Sequence, residues 1–252
     1  MPLRPHLTVV LPARNEAAII EATVRSVVDY LDALEASYEV IVGDSGSTDG
    51  TGRRVVELGI PNVRVVREDR PGKGRILSRC FREAHGRIVG FLDADLEIPV
   101  DGLGALLAAM TDDVDVVVAN KVDAEGRALH RRLMTRSINA AIRLLFGTSL
   151  GDHQAGCKVF RKEVVAPALP LVRSHGWLWD AEVLVQVRWR GGRTKEVPVP
   201  LRSVRRSRLS VTTMLISLGE LFAFRVRTLR FVRATERPWA RPEEVAATPW
   251  VG

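Results

Sequence analysis

The sequence predicts one α/β domain, a mostly parallel central sheet with helices on both faces. Three observations carry that expectation. Short β-branched runs alternate with helix-periodic segments from residue 7 to residue 119. The polar, glycine-rich segments follow directly after the apolar runs, where an open α/β sheet places its ligand loops. Finally, 252 residues that are 46% hydrophobic and 27% charged suffice for a sizeable core. This composition excludes a disordered chain, and two cysteines exclude a disulfide scaffold.

The elements follow in order. Leu7–Leu11 is an apolar run that stops at Pro12, as a buried strand does. Ala17–Ala36 places Ile20, Val24, Val27, Val28, Leu31 and Leu34 at helical spacing. Tyr38–Val42 is a second strand, Thr51–Leu58 a short helix, Val63–Val66 a third strand and Gly74–Ala84 another helix. Arg87–Leu92 is a fourth strand, Leu103–Met110 a helix and Val114–Ala119 a fifth strand. The second half is less regular: a basic helix over Leu129–Phe146, a strand at Lys158–Phe160, and a helix over Asp180–Arg190 ended by Gly191 and Gly192. A strand, Thr194–Val199, enters Pro200; a last helix spans Val211–Val232, and residues 234–252 form a proline-containing tail.

The net charge of +7 is local. Residues 201–233 hold eight arginines and one acid, Glu220, so the other 219 residues balance to zero. A globally basic protein points to nucleic acid, whereas charge confined to one stretch points to a local anionic surface. With no aromatic stacking motif, nucleic acid is not the expected partner. The last helix combines Met214, Leu215, Leu218, Leu221, Phe222, Phe224 and Leu229 with Arg225, Arg227, Arg230 and Arg233 at its far end. That composition suits an anionic membrane interface, or alternatively packing on its own sheet or in a homodimer. No apolar run reaches the roughly 18 residues of a membrane span, and the N-terminus has no signal-peptide pattern. Cys80 and Cys157 have no metal-type spacing and read as reduced thiols.

Chemistry-bearing residues gather after four strands. Strand one leads to Pro12-Ala13-Arg14-Asn15-Glu16, strand two to Gly43-Asp44 and a Ser/Gly/Asp turn, strand three to Gly72-Lys73-Gly74, and strand four to Asp93-Ala94-Asp95-Leu96-Glu97. In an extended segment, residues i and i+2 project to one side. The carboxylates of Asp93 and Asp95 therefore repel unless a cation lies between them, which suggests Mg²⁺ or Mn²⁺ on oxygen ligands, with Glu97 as a third ligand. Gly72-Lys73-Gly74 opens a helix whose amides, dipole and lysine suit a phosphate. Asp44 suits a base or ribose, or else the capping of its own turn. Neither a phosphate loop nor a dinucleotide fingerprint is present, which argues against a nucleotide triphosphatase or a dehydrogenase.

Assembled in this order, the residues resemble the family-two inverting glycosyltransferases of GT-A fold over roughly Leu7–Arg233. The Pro12-to-Glu16 segment, the Asp44-to-Thr51 loop, Gly-Lys-Gly and Asp-X-Asp each match a family motif. The resemblance implies a nucleotide-sugar site at Pro12, Ala13, Asn15, Glu16, Asp44, Lys73, Asp93, Ala94 and Asp95, with Lys73 on the diphosphate and Asp93 and Asp95 on the metal. Asp152-His-Gln154-Ala-Gly156-Cys-Lys158, Trp179-Asp180-Ala-Glu182 and Glu196-Val-Pro-Val resemble polyprenyl-phosphate glucosyl- and mannosyltransferases. Arg131-X-X-X-Thr135-Arg136 resembles their lipid-phosphate contact, although Thr135 replaces Ser, Glu97 replaces Gln and Lys121 stands where Arg is common.

The implied organisation is a catalytic domain over 1–210, divided at 119 into nucleotide-sugar and acceptor halves, followed by the basic helix 211–233 and the tail. The implied reaction moves glucose or mannose from a nucleotide-diphosphate sugar to a polyprenyl phosphate at the cytoplasmic face of a membrane. A phosphomonoester is largely dianionic at neutral pH, so it needs no general base. Lys121, Arg131, Thr135, Arg136 and Arg202 would then surround the attacking phosphate. Asp152, Gln154, Asp180 and Glu182 would contact sugar hydroxyls, the alternative for Glu182 being a pair with Arg188 or Arg190. A soluble anionic acceptor such as phosphoglycerate is the other enzymatic reading.

Overall fold

The computed structural model describes residues 6–34, 36–122, 129–202 and 219–228, with backbone alone for 129–135. Its strands and helices are β1 (Leu7–Ala13), α1 (Ile20–Asp32), β2 (Tyr38–Ser45), α2 (Thr51–Glu57), β3 (Val63–Glu68), α3 (Lys73–Glu83), β4 (Ile88–Leu92) and α4 (Val100–Ala108). They continue with β5 (Val116–Val122), α5 (Leu129–Phe146), β6 (Cys157–Arg161), α6 (Lys162–Val165), α7 (Trp179–Trp189) and β7 (Thr194–Pro200). A helix over 219–228 follows, here α8.

The strands form one seven-stranded sheet in the order β3-β2-β1-β4-β6-β5-β7. All neighbours are parallel except β6, which runs antiparallel to both β4 and β5. That reversal has a consequence for function. The beginning of β6 lies beside the end of β4, with Leu92 opposite Cys157. The 151–156 loop therefore joins the carboxyl edge where β1, β2, β4, β5 and β7 all end.

β1 runs through Pro12 rather than stopping at it. Its ladder to β4 reaches only the Val10–Phe91 pair, so past that point the edge needs no donor, while pairing to β2 continues to Ala13–Asp44. α1 begins later than periodicity suggests because the Ala17 amide donates to Asp49 Oδ2 at 2.9 Å, outside the helical ladder. A four-residue α6 and a 3-10 turn at Leu169–Leu171 lie where no periodic signal is present.

The main core is apolar on both sheet faces. Val9, Val10, Val40, Ile41, Val117 and Val118 are fully buried, and Phe81 packs edge-on against Phe160 and Trp179. A second cluster joins α5, α7 and α8 through Ile142, Phe146, Leu178, Ala181, Val185, Leu221 and Phe224. Phe224 stacks on Phe146 with ring centroids 4.5 Å apart. The described part of the last helix thus packs on its own domain. No described helix is long and apolar enough to cross a membrane. Most of the expected Val211–Val232 helix, the tail, and Arg205, Arg206, Arg208, Arg230 and Arg233 lie outside the described residues.

Candidate active site

The first two loops are fastened to each other. Asn15, in a left-handed conformation with φ 54°, accepts the Thr48 amide on Oδ1 at 2.9 Å, and its own amide donates to Ser47 Oγ. The Glu16 amide donates to Thr51 Oγ1. Asp44 is buried at the end of β2 and accepts the Ser47 amide at 2.9 Å, so it caps its own turn. Asn15 and Asp44 thus set the shape of the two loops, beside Pro12 and Ala13 at the end of β1.

The Asp93–Asp95 segment is fixed from two sides. The Asp93 amide donates to the Gly156 carbonyl at 2.8 Å, and Thr23 Oγ1 on α1 donates to the Ala94 carbonyl at 2.8 Å. Glycine at 156 leaves room for the Asp93 carboxylate, because a Cβ there would stand 2.6 Å from Asp93 Oδ2 and push it aside. Asp95 Oδ1 accepts the Glu97 amide. Burial, reinforced by Asp93, Glu97 and Glu16, pushes the Asp95 carboxyl above its ordinary value. A group of like charges that disfavour one another's ionisation is what an oxygen-preferring cation relieves, so this donor set fits Mg²⁺ or Mn²⁺.

The third expected ligand does not join them. Among the described residues no three acidic, histidine or cysteine side chains converge on one point. The Glu97 carboxylate lies 3.7 Å from Lys121 Nζ. A cation on Asp93 and Asp95 would fill its remaining positions from substrate oxygens and water, as such ions commonly do.

Lys73 departs in one respect from the phosphate-cradle expectation. The helix-opening amides of Gly74 and Arg75 donate to the His175 carbonyl, at 3.0 and 3.3 Å, and do not face the site. Gly72 and Gly74 are required by that approach, since a Cβ would come within 2.5 Å of His175 O or Trp179 Cβ respectively. The Lys73 ammonium itself does reach the site. It stands 2.7 Å from Asp93 Oδ1, 3.7 Å from Asp180 Oδ2, and over the rings of Phe91 and Trp177. Burial works against its charge, but Asp180, Asp93 and Asp95 outweigh burial and hold its pKa above the ordinary lysine value.

Beneath it lies a buried cation, Lys158, to which the sequence motif alone assigns no role. Lys158 is fully buried in β6 and donates to Asp180 Oδ1 at 2.5 Å and to the Ala155 carbonyl at 2.7 Å. Burial and neighbouring Lys73 pull its pKa down, while Asp180 raises it. In the sequence it is a lysine inside an otherwise apolar strand and the closing residue of the Asp152–Lys158 motif. Asp180, expected to meet sugar hydroxyls, is 1% exposed and sits between two lysines instead.

Glu182 also differs from both expectations for it. One carboxylate oxygen accepts the Ser174 amide at 2.8 Å and the other accepts Arg227 from α8 at 3.2 Å. Arg190 bonds Gln186. Ser174 further donates to Glu220, so α8 grips the 174–176 loop that caps α3.

Asp152, Gln154, Lys121 and Arg202 occupy the β5/β7 side of the same edge. Gly151 and Asp152 amides donate to Glu196 of β7, and Asp152 Oδ1 accepts the Gln154 amide, which shapes the loop. Lys121 is the penultimate residue of β5; Arg202 follows β7, is exposed, and donates its amide to the Glu97 carbonyl. Arg136 is exposed on α5, whereas the side chains of Arg131 and Thr135 lie outside the described residues.

Comparison with known proteins decides what this edge belongs to. The sequence profile of "Glycosyl transferase family 2" matches residues 8–167. The chain belongs to glycosyl transferase family 2. Glycosyltransferase AglD of Haloferax volcanii is 32% identical over 203 residues, 77% of this chain and 32% of that protein. Dolichyl-phosphate beta-glucosyltransferase of Saccharomyces cerevisiae is 22% identical over 85% of this chain and 72% of its own. Glucosyl-3-phosphoglycerate synthase of Mycobacterium tuberculosis is 45% identical over 102 residues, 37% of this chain and 30% of that protein. Its crystal structure with Mn²⁺ and uridine-diphosphate-glucose superimposes with TM-score 0.68 at 27% identity, covering 88% of this chain and 78% of that one. The chain thus spans about a third of AglD, and the family-two fold expected from its motifs is the one observed.

Proposed function

We propose that this family-two chain is a metal-dependent inverting hexosyltransferase moving glucose or mannose from a nucleoside-diphosphate sugar to a polyprenyl phosphate. One observation carries the reading: the Asp93–Asp95 pair, Lys73 and the cations Lys121 and Arg202 line a single sheet edge, with donor loops on the β1/β2 side. Yeast dolichyl-phosphate glucosyltransferase and the Mn²⁺ complex of the mycobacterial synthase support its two halves.

In this reading the fastened Asn15–Glu16 and Asp44 loops take the nucleoside, and Lys73 neutralises charge on the departing diphosphate. Asp93 and Asp95 would hold Mg²⁺ or Mn²⁺, which when bound supplies further stabilisation of that leaving group. Asp152 and Gln154 orient the sugar. Lys121, Arg202, Arg136, Arg131 and Thr135 would steer the acceptor phosphate, whose dianion attacks opposite the leaving group and inverts the anomeric carbon. Membrane association through the C-terminal basic region belongs to the same reading.

The likeness to glucosyl-3-phosphoglycerate synthase favours a second reading, a soluble phosphate-bearing acid as acceptor. The deciding experiment incubates the protein and Mn²⁺ with uridine- or guanosine-diphosphate sugars and either a short polyprenyl phosphate or 3-phosphoglycerate. Mass spectrometry of the products is expected to find the glycosylated lipid. Product on phosphoglycerate alone selects the second reading, and no product on either acceptor sinks both.

A further inference from the structure

Among the described residues, Oδ2 of buried Asp180 accepts no hydrogen bond, and the buried Lys73 ammonium makes none of good geometry. They lie 3.7 Å apart. The ammonium meanwhile stands 2.7 Å from Asp93 Oδ1, at ion-pair distance but without hydrogen-bond alignment. Asp180 cannot move to meet it, because its other oxygen is held by Lys158, itself anchored on the Ala155 carbonyl. An unmade hydrogen bond at a buried carboxylate is costly, and the two orphaned atoms complement each other. A shift of about 1 Å in the ammonium would bring it to hydrogen-bond distance from Asp180. Phe91 and Trp177, at 4.9 and 5.5 Å from the ammonium, offer it π-faces alongside.

We propose that Lys73 is a two-position cation, resting on Asp93 while the carboxylate pair holds no metal and swinging onto Asp180 Oδ2 when a divalent cation takes Asp93. The inference rests on the metal reading given above. In the metal-free protein Lys73 supplies the positive charge that Asp93 lacks, and so competes with the metal. Asp180 relieves that competition by offering the displaced ammonium a prepared acceptor. It is a positioning residue acting through Lys73, and Lys158 fixes it in place. After the swing the ammonium stays at the site, available to the diphosphate.

The test is Mn²⁺ binding to the full chain without nucleotide, read from the free-Mn²⁺ electron paramagnetic resonance signal. It compares wild type, Lys73→Met, Asp180→Asn and the double variant. Loss of the competing ammonium in Lys73→Met is expected to tighten Mn²⁺ about tenfold, and Asp180→Asn to weaken it about tenfold while Lys73 is present. In the Lys73→Met background, Asp180→Asn is expected to change affinity by less than about twofold. An equal loss in both backgrounds is ordinary long-range charge and overturns the swing, as does a Lys73→Met variant that binds no tighter. Should Asp180→Asn not fold, ε-¹⁵N-lysine spectra of the wild type decide: the Lys73 ammonium resonance moves on Mg²⁺ addition if it swings, and a resonance that stays in place refutes it. Mn²⁺ bound by no variant, with or without uridine diphosphate, removes the metal reading and the swing together, whereas Mn²⁺ binding with a flat cycle removes the swing alone.

Discussion

His153 illustrates how a single residue beside the site ties stability to pH. Its ring is fully buried, with Nδ1 at 2.8 Å from Asn139 Oδ1 and Nε2 at 2.7 Å from Thr148 Oγ1. The neutral tautomer satisfies both, Nδ1–H donating to the amide oxygen and Nε2 accepting the hydroxyl. Burial, aided by Lys158, lowers its pKa from 6.5 to about 4. The unfolded chain therefore binds a proton below about pH 6.5 that the folded chain refuses until about pH 4. The stabilisation from neutral His153 is complete above that window and is lost as pH falls through it, about 2 kcal/mol between pH 7 and 5. Urea unfolding of His153→Gln at both pH values is expected to lack this share of the pH slope; an unchanged slope means another group carries it. Asp95 is the corresponding test of the donor site. Removing it leaves one carboxylate of the pair, so Asp95→Ala is expected to abolish Mn²⁺-dependent nucleotide-sugar binding in calorimetry, and unchanged affinity refutes the assignment.

Among the elements, α8 does more than cover the second core cluster. Through Arg227 to Glu182, and Glu220 to Ser174, it holds the loop whose His175 carbonyl caps α3 at Lys73. Glu182→Ala would leave the Ser174 amide buried and unpaired, costing about 1–3 kcal/mol, while Glu182→Gln keeps an acceptor and gives up mainly the charge on half-exposed Arg227, about 1 kcal/mol or less. Urea midpoints should fall in that order. Equal midpoints with weakened sugar binding would restore Glu182 to the substrate. This arrangement also shows where sequence reading stops. Strand and helix identities, and the loops carrying Asn15, Asp44, Lys73 and Asp93, follow from local periodicity and the rule of carboxyl-end loops. The capping of α3 by His175, the pair of Glu182 with Arg227 and the burial of Lys158 depend on segments distant in the chain meeting. No spacing along the sequence encodes that meeting. The same limit hid the reversal of β6, which brings Asp152–Gly156 to Asp93.

For the whole molecule, the question is where its excess charge acts. Of the eight arginines in 201–233, Arg227 is committed internally to Glu182, and Arg202 lies exposed beside the β5/β7 end of the site. On α8, Leu221 and Phe224 face the core while Phe222, 71% exposed, and Val226 face outward one turn apart. An outward apolar pair within a basic region suits an anionic lipid surface, where each nearby arginine contributes about 1 kcal/mol. A soluble-acceptor enzyme needs no such surface. The chain is therefore expected to float with vesicles containing anionic lipid, to float less with zwitterionic vesicles, and to detach as salt screens the arginines. Phe222→Ser with Val226→Ser should weaken flotation while leaving the urea midpoint near wild type, because neither side chain belongs to the core. Flotation on neither vesicle type would assign the arginines to the acceptor phosphate alone and favour the soluble acceptor.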